Sequence, residues 1–257
     1  MRKLLINSLL AVASSAALNA AADSGLFPGD GVGPGGVPVS ASAFVDFTGD
    51  LMTITLRNTS LAHSGTDVPG STLTGFFWKF KEGVNPTFIP VSATVATGSS
   101  ILGVCNVLTC VGETNVGGEF GFSYQALGFP RGTNFGIASS GYLSSGLPGN
   151  IGNFNGANLD DPASLDGVNF GLISSAAGSN SNGGLEAVPV IQSAVTFVLS
   201  FTGQLQVSDF ETGNFQYGTD FSELNVLDAP PLTQVPEPTS VALLGLGLLG
   251  LLVAKRR

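Results

Sequence analysis

The chain has 257 residues and a net charge of −9, and only 11% of its residues are charged against 43% hydrophobic. Low charge with so many apolar residues excludes a disordered polyelectrolyte, and 18 Phe beside one Trp and three Tyr supply the large side chains of a packed interior. Arg2, Lys3, Lys255, Arg256 and Arg257 hold the two ends, while between them all 18 acids face only Arg57, Lys79, Lys81 and Arg131. A body about 14 negative excludes nucleic acid as a partner, because binding phosphates takes Lys and Arg.

Arg2-Lys3, the largely apolar stretch from Leu4 to Leu18 and Ala20-Ala21-Ala22 have the order of a secretory signal peptide. The expectation is residues 1–22 removed by signal peptidase after passage through the secretion machinery, Asp23 as the mature start, and an oxidising compartment. Residues 23–40 are dense in Gly and Pro and read as a mobile leader that packs against nothing.

The body is expected over residues 41–228. Ala43 to Thr48 and Leu51 to Asn58 flank Gly49-Asp50, a two-residue turn. Met52, Ile54 and Leu56 alternate with Thr53, Thr55 and Arg57, the period of a half-buried strand. Thr72 to Phe80 carries Phe76, Trp78 and Phe80 on one face, read as core in preference to a sugar-stacking platform. A strand over Thr87 to Thr97 is interrupted by Pro90, and short strands follow at Glu119 to Tyr124 and Asn134 to Ser139. Val188 to Phe201 alternates most clearly, Leu205 to Phe210 continues it, and Asn214 to Tyr217 supplies a last strand. Gly132 to Ser140 resembles Gly167 to Ser175, 35 residues on; with no third copy this is a pair of similar strands and not a solenoid. Many short strands with Gly-rich turns predict an all-β fold, an antiparallel sandwich of jelly-roll type.

Cys105 and Cys110, the only cysteines, are expected to form a disulfide across a short loop. His63 is the only histidine, so any Ser-His-Asp triad must use it, and no serine sits in G-x-S-x-G. Asp220 and Glu223 are a carboxylate pair, but acids in glycine-rich loops commonly form turns on their own backbone. Asp160, Asp161 and Asp166 are calcium candidates by their hard oxygens, although their spacing matches no EF-hand. Gly245, Gly247 and Gly250 match G-x-G-x-x-G in the wrong context for a dinucleotide, lying inside an apolar run. No other cofactor is expected.

The chain closes with Val235-Pro236-Glu237-Pro238, 14 apolar residues from Val241 to Ala254, and Lys255-Arg256-Arg257. At 1.5 Å per residue that run, or the 16 residues that include Thr239 and Ser240, makes a helix of roughly 21–24 Å, short for the ~30 Å hydrocarbon core, with cations that stay cytoplasmic. Residues 239–257 are expected to be a short membrane helix with its basic stop, and 229–238 a Pro-rich linker. The arrangement resembles the PEP-CTERM sorting signal of Gram-negative bacteria. The resemblance implies recognition at Pro236, Glu237 and Pro238 and cleavage by an exosortase, often in organisms that make exopolysaccharide. The body is also similar to some exosortase-dependent surface proteins in Leu73 to Trp78, Asp166 to Gly171 and Phe215 to Asp220. The function expected is that of an exported, non-enzymatic surface or matrix protein; the alternative is a carbohydrate-binding module, calcium-dependent or not.

Overall fold

The hairpin around Gly49-Asp50 shows how the alternation becomes structure. Ala43, Val45, Met52, Ile54 and Leu56 are buried, the Thr residues between them are half-exposed, and Gly49 turns the chain at φ 63°. The computed structural model describes residues 23–61, 69–103, 114–124, 129–140, 157–159, 168–177, 185, 188–219, 221–227 and 232–233. In chain order its strands are β1 (Asp23–Val32), β2 (Pro38–Thr48), β3 (Leu51–Asn58), β4 (Leu73–Phe80), β5 (Thr87–Val95), β6 (Ser100–Leu102), β7 (Gly121–Tyr124) and β8 (Phe135–Ala138). They continue with β9 (Ala157–Asn158), β10 (Leu172–Ile173), β11 (Val190–Gln192), β12 (Ala194–Thr202), β13 (Phe210–Tyr217), β14 (Asn225–Leu227) and β15 (Leu232–Thr233). The all-β expectation holds.

Two sheets face each other. The six-stranded sheet has the order β15-β1-β2-β3-β12-β5. In the nine-stranded sheet β4 is the hub: β13 and then β14 pair along one edge, while β8 and β10 share the other. Aromatic side chains fill the space between the sheets. Phe27 meets Phe76 and Phe210 at 6.1 and 4.8 Å, Phe47 meets Phe210 at 6.3 Å, and Phe88 stands edge-on to Trp78 at 6.2 Å. Trp78 is fully buried between the stacked rings of Phe76 and Phe135. Each such ring contributes roughly 1.5–3 kcal/mol by leaving water.

A polar seam joins the two sheets at Ser193. Ser193 separates β11 of the larger sheet from β12 of the smaller and takes φ 82°, rare for a residue with a side chain. Its N–H donates to the Ile173 carbonyl (2.9 Å), its carbonyl accepts from the Asn58 N–H (3.0 Å), and its hydroxyl accepts from Arg57 Nη1 (2.6 Å). Asn58 is buried beside it; its Nδ2 donates to the carbonyls of Leu172 and Ser71, and its Oδ1 accepts from the Ser60 N–H. The run read as a single strand over Val188 to Phe201 is therefore two strands that change sheets at Ser193.

Several expectations need correction. Residues 23–40 are not an unpacked leader: β1 spans Asp23–Val32 and pairs with β2 and β15. Its inward face reads Gly25, Phe27, Gly29, Gly31. A Cβ added at those glycines would lie 2.4 Å from Val207 Cγ1, 2.6 Å from Phe215 Cδ2 and 2.6 Å from Val226 Cγ2, respectively. Glycine here permits close approach of one sheet to the other, a role it shares with turn-making in the language of sequence. The linker expected over 229–238 likewise contains β15, so residues 24–233 form one unit in place of the expected 41–228.

Antiparallel pairing is not universal either. β10 and β11 run parallel, and the 16 residues between Ile173 and Val190 are enough for a crossover. Leu205 to Phe210 does not continue the strand. The Asp209 carboxylate accepts from the Gln206 N–H (3.0 Å) and closes a short 3-10 turn over Val207–Asp209. Asn214 to Tyr217 belongs to β13 and is not the last strand, since β14 and β15 follow.

The similar segments around Phe135 and Phe170 have a shared explanation. β8 and β10 add to the same edge of β4, with Ile137 opposite Phe76 and Leu172 opposite Leu73. The matching glycines, Gly136 and Gly171, sit where a Cβ would strike Phe77 and Thr72.

The β1 geometry sets a test. Gly29→Ala is expected to lower stability by about 1–3 kcal/mol through overpacking against the Phe215 ring. Asp30→Ala, on the exposed side of the same strand, is expected to stay within about 0.5 kcal/mol. Urea unfolding of the two variants checks this.

Candidate functional site

The described body begins and ends at the same place. β15 pairs antiparallel with β1, Thr233 opposite Gly25 and Leu232 opposite Leu26. Asp23, the expected mature start, therefore opens the strand beside which the chain leaves the sheet at Thr233. Val235, Pro236, Glu237 and Pro238, with Lys255, Arg256 and Arg257, follow in sequence and lie outside the described residues. The family described as the PEP-CTERM protein-sorting motif matches residues 234–257.

This chain carries a PEP-CTERM sorting motif. The motif marks an exported, cell-surface-directed protein for processing by an exosortase. In the sequence the matched segment begins at the residue after β15. Comparison of the chain with curated proteins and with solved structures gives no match.

The remaining sequence candidates fall into two groups. Cys105, Cys110, His63, Asp160, Asp161, Asp166 and Asp220 lie outside the described residues, as does the apolar run from Val241 to Ala254. Among the described residues no helix is long and apolar enough to cross a membrane, and no group of three or more His, Cys, Asp or Glu could hold a metal ion. Phe77 and Trp78 are described, and both are fully buried. Neither offers an open ring face to a sugar. Trp78 Nε1 is enclosed without a hydrogen-bond partner.

The outer face of the larger sheet carries a small apolar cluster and a polar cleft. Phe77 and Ala138 point outward from β4 and β8 and are covered by Phe129, with Phe221 packed against them. Beside this cover, Pro130, Arg131, Phe221, Ser222, Glu223 and Asn225 line an open cleft of about 280 Å³. One wall is the Pro130–Gly132 turn. Arg131 takes φ 59°, held there by bonds from the N–H of Gly132 to the Phe129 carbonyl and from the N–H and hydroxyl of Thr133 to the Pro130 carbonyl. The other wall is the segment before β14. The Glu223 carboxylate caps the Thr219 N–H, while Asn225 Nδ2 donates to the carbonyls of Phe221 (2.9 Å) and Glu223 (3.0 Å) and Asn225 Oδ1 accepts from Asn214 Nδ2 (2.8 Å).

That arrangement fixes the walls among the described residues. The Glu223 carboxylate is engaged as a turn former, and Arg131 has no ion-pair partner among the described residues. On the neighbouring β13, Gln216 is fully buried with neither amide atom hydrogen-bonded, and Asn214 Oδ1 and Asn134 Oδ1 are also unmet. Tyr217 points to the opposite, apolar side. Burial holds its phenol far above the ordinary range, Asp30 adds to the shift, and the neighbouring Ser60 hydroxyl opposes it without meeting hydrogen-bond geometry. The group stays protonated throughout the physiological range and is no general base. Residues 130–131 and 221–225 gave no joint signal in the sequence, being separated by some 90 positions.

Arg131→Gly is expected to raise stability by roughly 0.5–1 kcal/mol, because it removes a left-handed backbone cost from an exposed residue at a small loss in chain entropy. For a body of this size that corresponds to about 1–4 °C in Tm. Calorimetry decides; a fall in Tm would show that the guanidinium makes contacts worth more than the strain.

Proposed function

We propose that this protein is a non-enzymatic component of the cell surface or extracellular matrix, exported by an N-terminal signal peptide and cleaved by an exosortase near Pro236–Thr239. The PEP-CTERM match over residues 234–257 is the observation that carries the reading. In this account the short C-terminal helix and its basic stop hold the chain in the inner membrane of a Gram-negative cell until cleavage. The body is then displayed or released among exopolysaccharide or biofilm material. An acidic body rich in Ser and Thr suits such a hydrated setting and remains soluble there. No cofactor is required, and Cys105–Cys110 pairs in the oxidising compartment.

The carbohydrate-binding alternative loses its best support with the burial of Phe77 and Trp78. It has no observation in its favour that the matrix reading lacks.

Intact-mass spectrometry of the protein recovered from cells that contain an exosortase tests the proposal. The expected mass corresponds to a chain that starts at Asp23, ends between Pro236 and Thr239, and is two hydrogens lighter through one disulfide. A mass that retains Lys255-Arg256-Arg257 would overturn the sorting step and leave a plain membrane anchor.

A further inference from the structure

The pairing of β15 with β1 bears directly on how the tail can be reached. A peptide held in an enzyme's cleft presents its own backbone N–H and C=O groups to the cleft wall. In an antiparallel pair neighbouring residues turn these groups to opposite sides, so one of Leu232 and Thr233 presents its N–H and C=O to β1 and is not free to offer them elsewhere. Beyond Thr233 only Gln234 and Val235 precede Pro236, a reach of about 7 Å when fully extended. A folded sheet edge so close to the recognition residues would collide with the rim of any recessed active site. If β15 comes away, the free tether counts from Leu227 at the end of β14, and the eight residues Asp228 to Val235 reach about 26–29 Å.

The two partners in this pair are not equally held. β1 is a ten-residue strand with Phe27 fully buried and with Gly25, Gly29 and Gly31 pressed against Val207, Phe215 and Val226. β15 has two residues, forms the outermost strand of its sheet and is paired on one side. Short edge elements open locally at far lower cost than the global fold. The strand that yields is therefore β15.

We propose that β15 is a releasable strap: exosortase processing proceeds from the state in which Leu232 and Thr233 have left β1, so this pairing sets the rate at which the sorting tail is cut. The proposal rests on the PEP-CTERM reading and adds a step before it.

The test follows cleavage of the full chain by pulse-chase in cells that contain an exosortase. Leu26→Cys with Leu232→Cys, at positions directly opposite in the pairing, closes a disulfide on mild oxidation and locks the strap. Cleavage is expected to slow at least fivefold in the crosslinked chain and to recover on reduction. Eight Gly/Ser residues inserted between Thr233 and Gln234 are expected to restore the rate in the locked chain. The same insertion in the otherwise unchanged chain, which needs no crosslink, is expected to raise the rate at least twofold. Wild-type cleavage of the locked chain, or no effect of the insertion in either background, overturns the strap. If the unmodified chain is never cleaved, or if Pro236→Ala with Glu237→Ala is cut as fast, the sorting reading fails instead.

Discussion

Everything described in this fold hangs on β4. Its inward side chains Phe76, Trp78 and Phe80 make the floor of the aromatic layer, and its two edges take β13 on one side and β8 and β10 on the other. The rings of the smaller sheet, Phe27, Phe47 and Phe88, close on that floor from above. Large planar side chains stacked and edge-on gain from both buried area and ring geometry. A chain with 11% charged residues depends on this layer, because its surface offers little else. The Lys79–Glu211 pair is partly exposed, and such pairs contribute almost nothing net.

Against that interior, the polar seam at Asn58 and Ser193 supplies direction more than energy. Apolar burial is indifferent to small slides of one sheet over the other, whereas a buried carboxamide with three bonded partners is not. Moving the sheets apart or past each other would strand the Leu172 and Ser71 carbonyls and the Ser193 backbone in a dry interior. The left-handed backbone at Ser193 is retained within that network.

The sequence made some of this readable and hid the rest for physical reasons. Alternation at Met52 to Leu56 and Val195 to Phe201 is a local signal that survives folding unchanged, and both became strands with the expected faces buried. The sorting tail was equally legible, because its order of prolines, apolar run and cations is contained in one stretch. Gly25 to Gly31 misled because glycine denotes either a turn or a place where something comes close. What comes close is Phe215 and Val226, nearly 200 residues away. Asp209 misled in the opposite sense, its carboxylate turning an alternating segment into a 3-10 turn. The cleft beside Arg131 could not be read at all, since its walls meet only through the order of strands around β4.

The far edge of the smaller sheet has a consequence for a crowded surface. β5 lies at the opposite end of that sheet from β15, with Pro90 opposite Leu199 and Ser92 opposite Val198, so that Val91 bulges out of the ladder. Ile89 and Val91 are well exposed there, and a straight strand with such side chains would invite a neighbour to extend the sheet. The proline lacks the N–H that a templated partner needs, and the bulge bends the edge out of line. This edge is therefore a poor template for a strand from a neighbouring molecule, however closely copies are crowded against it.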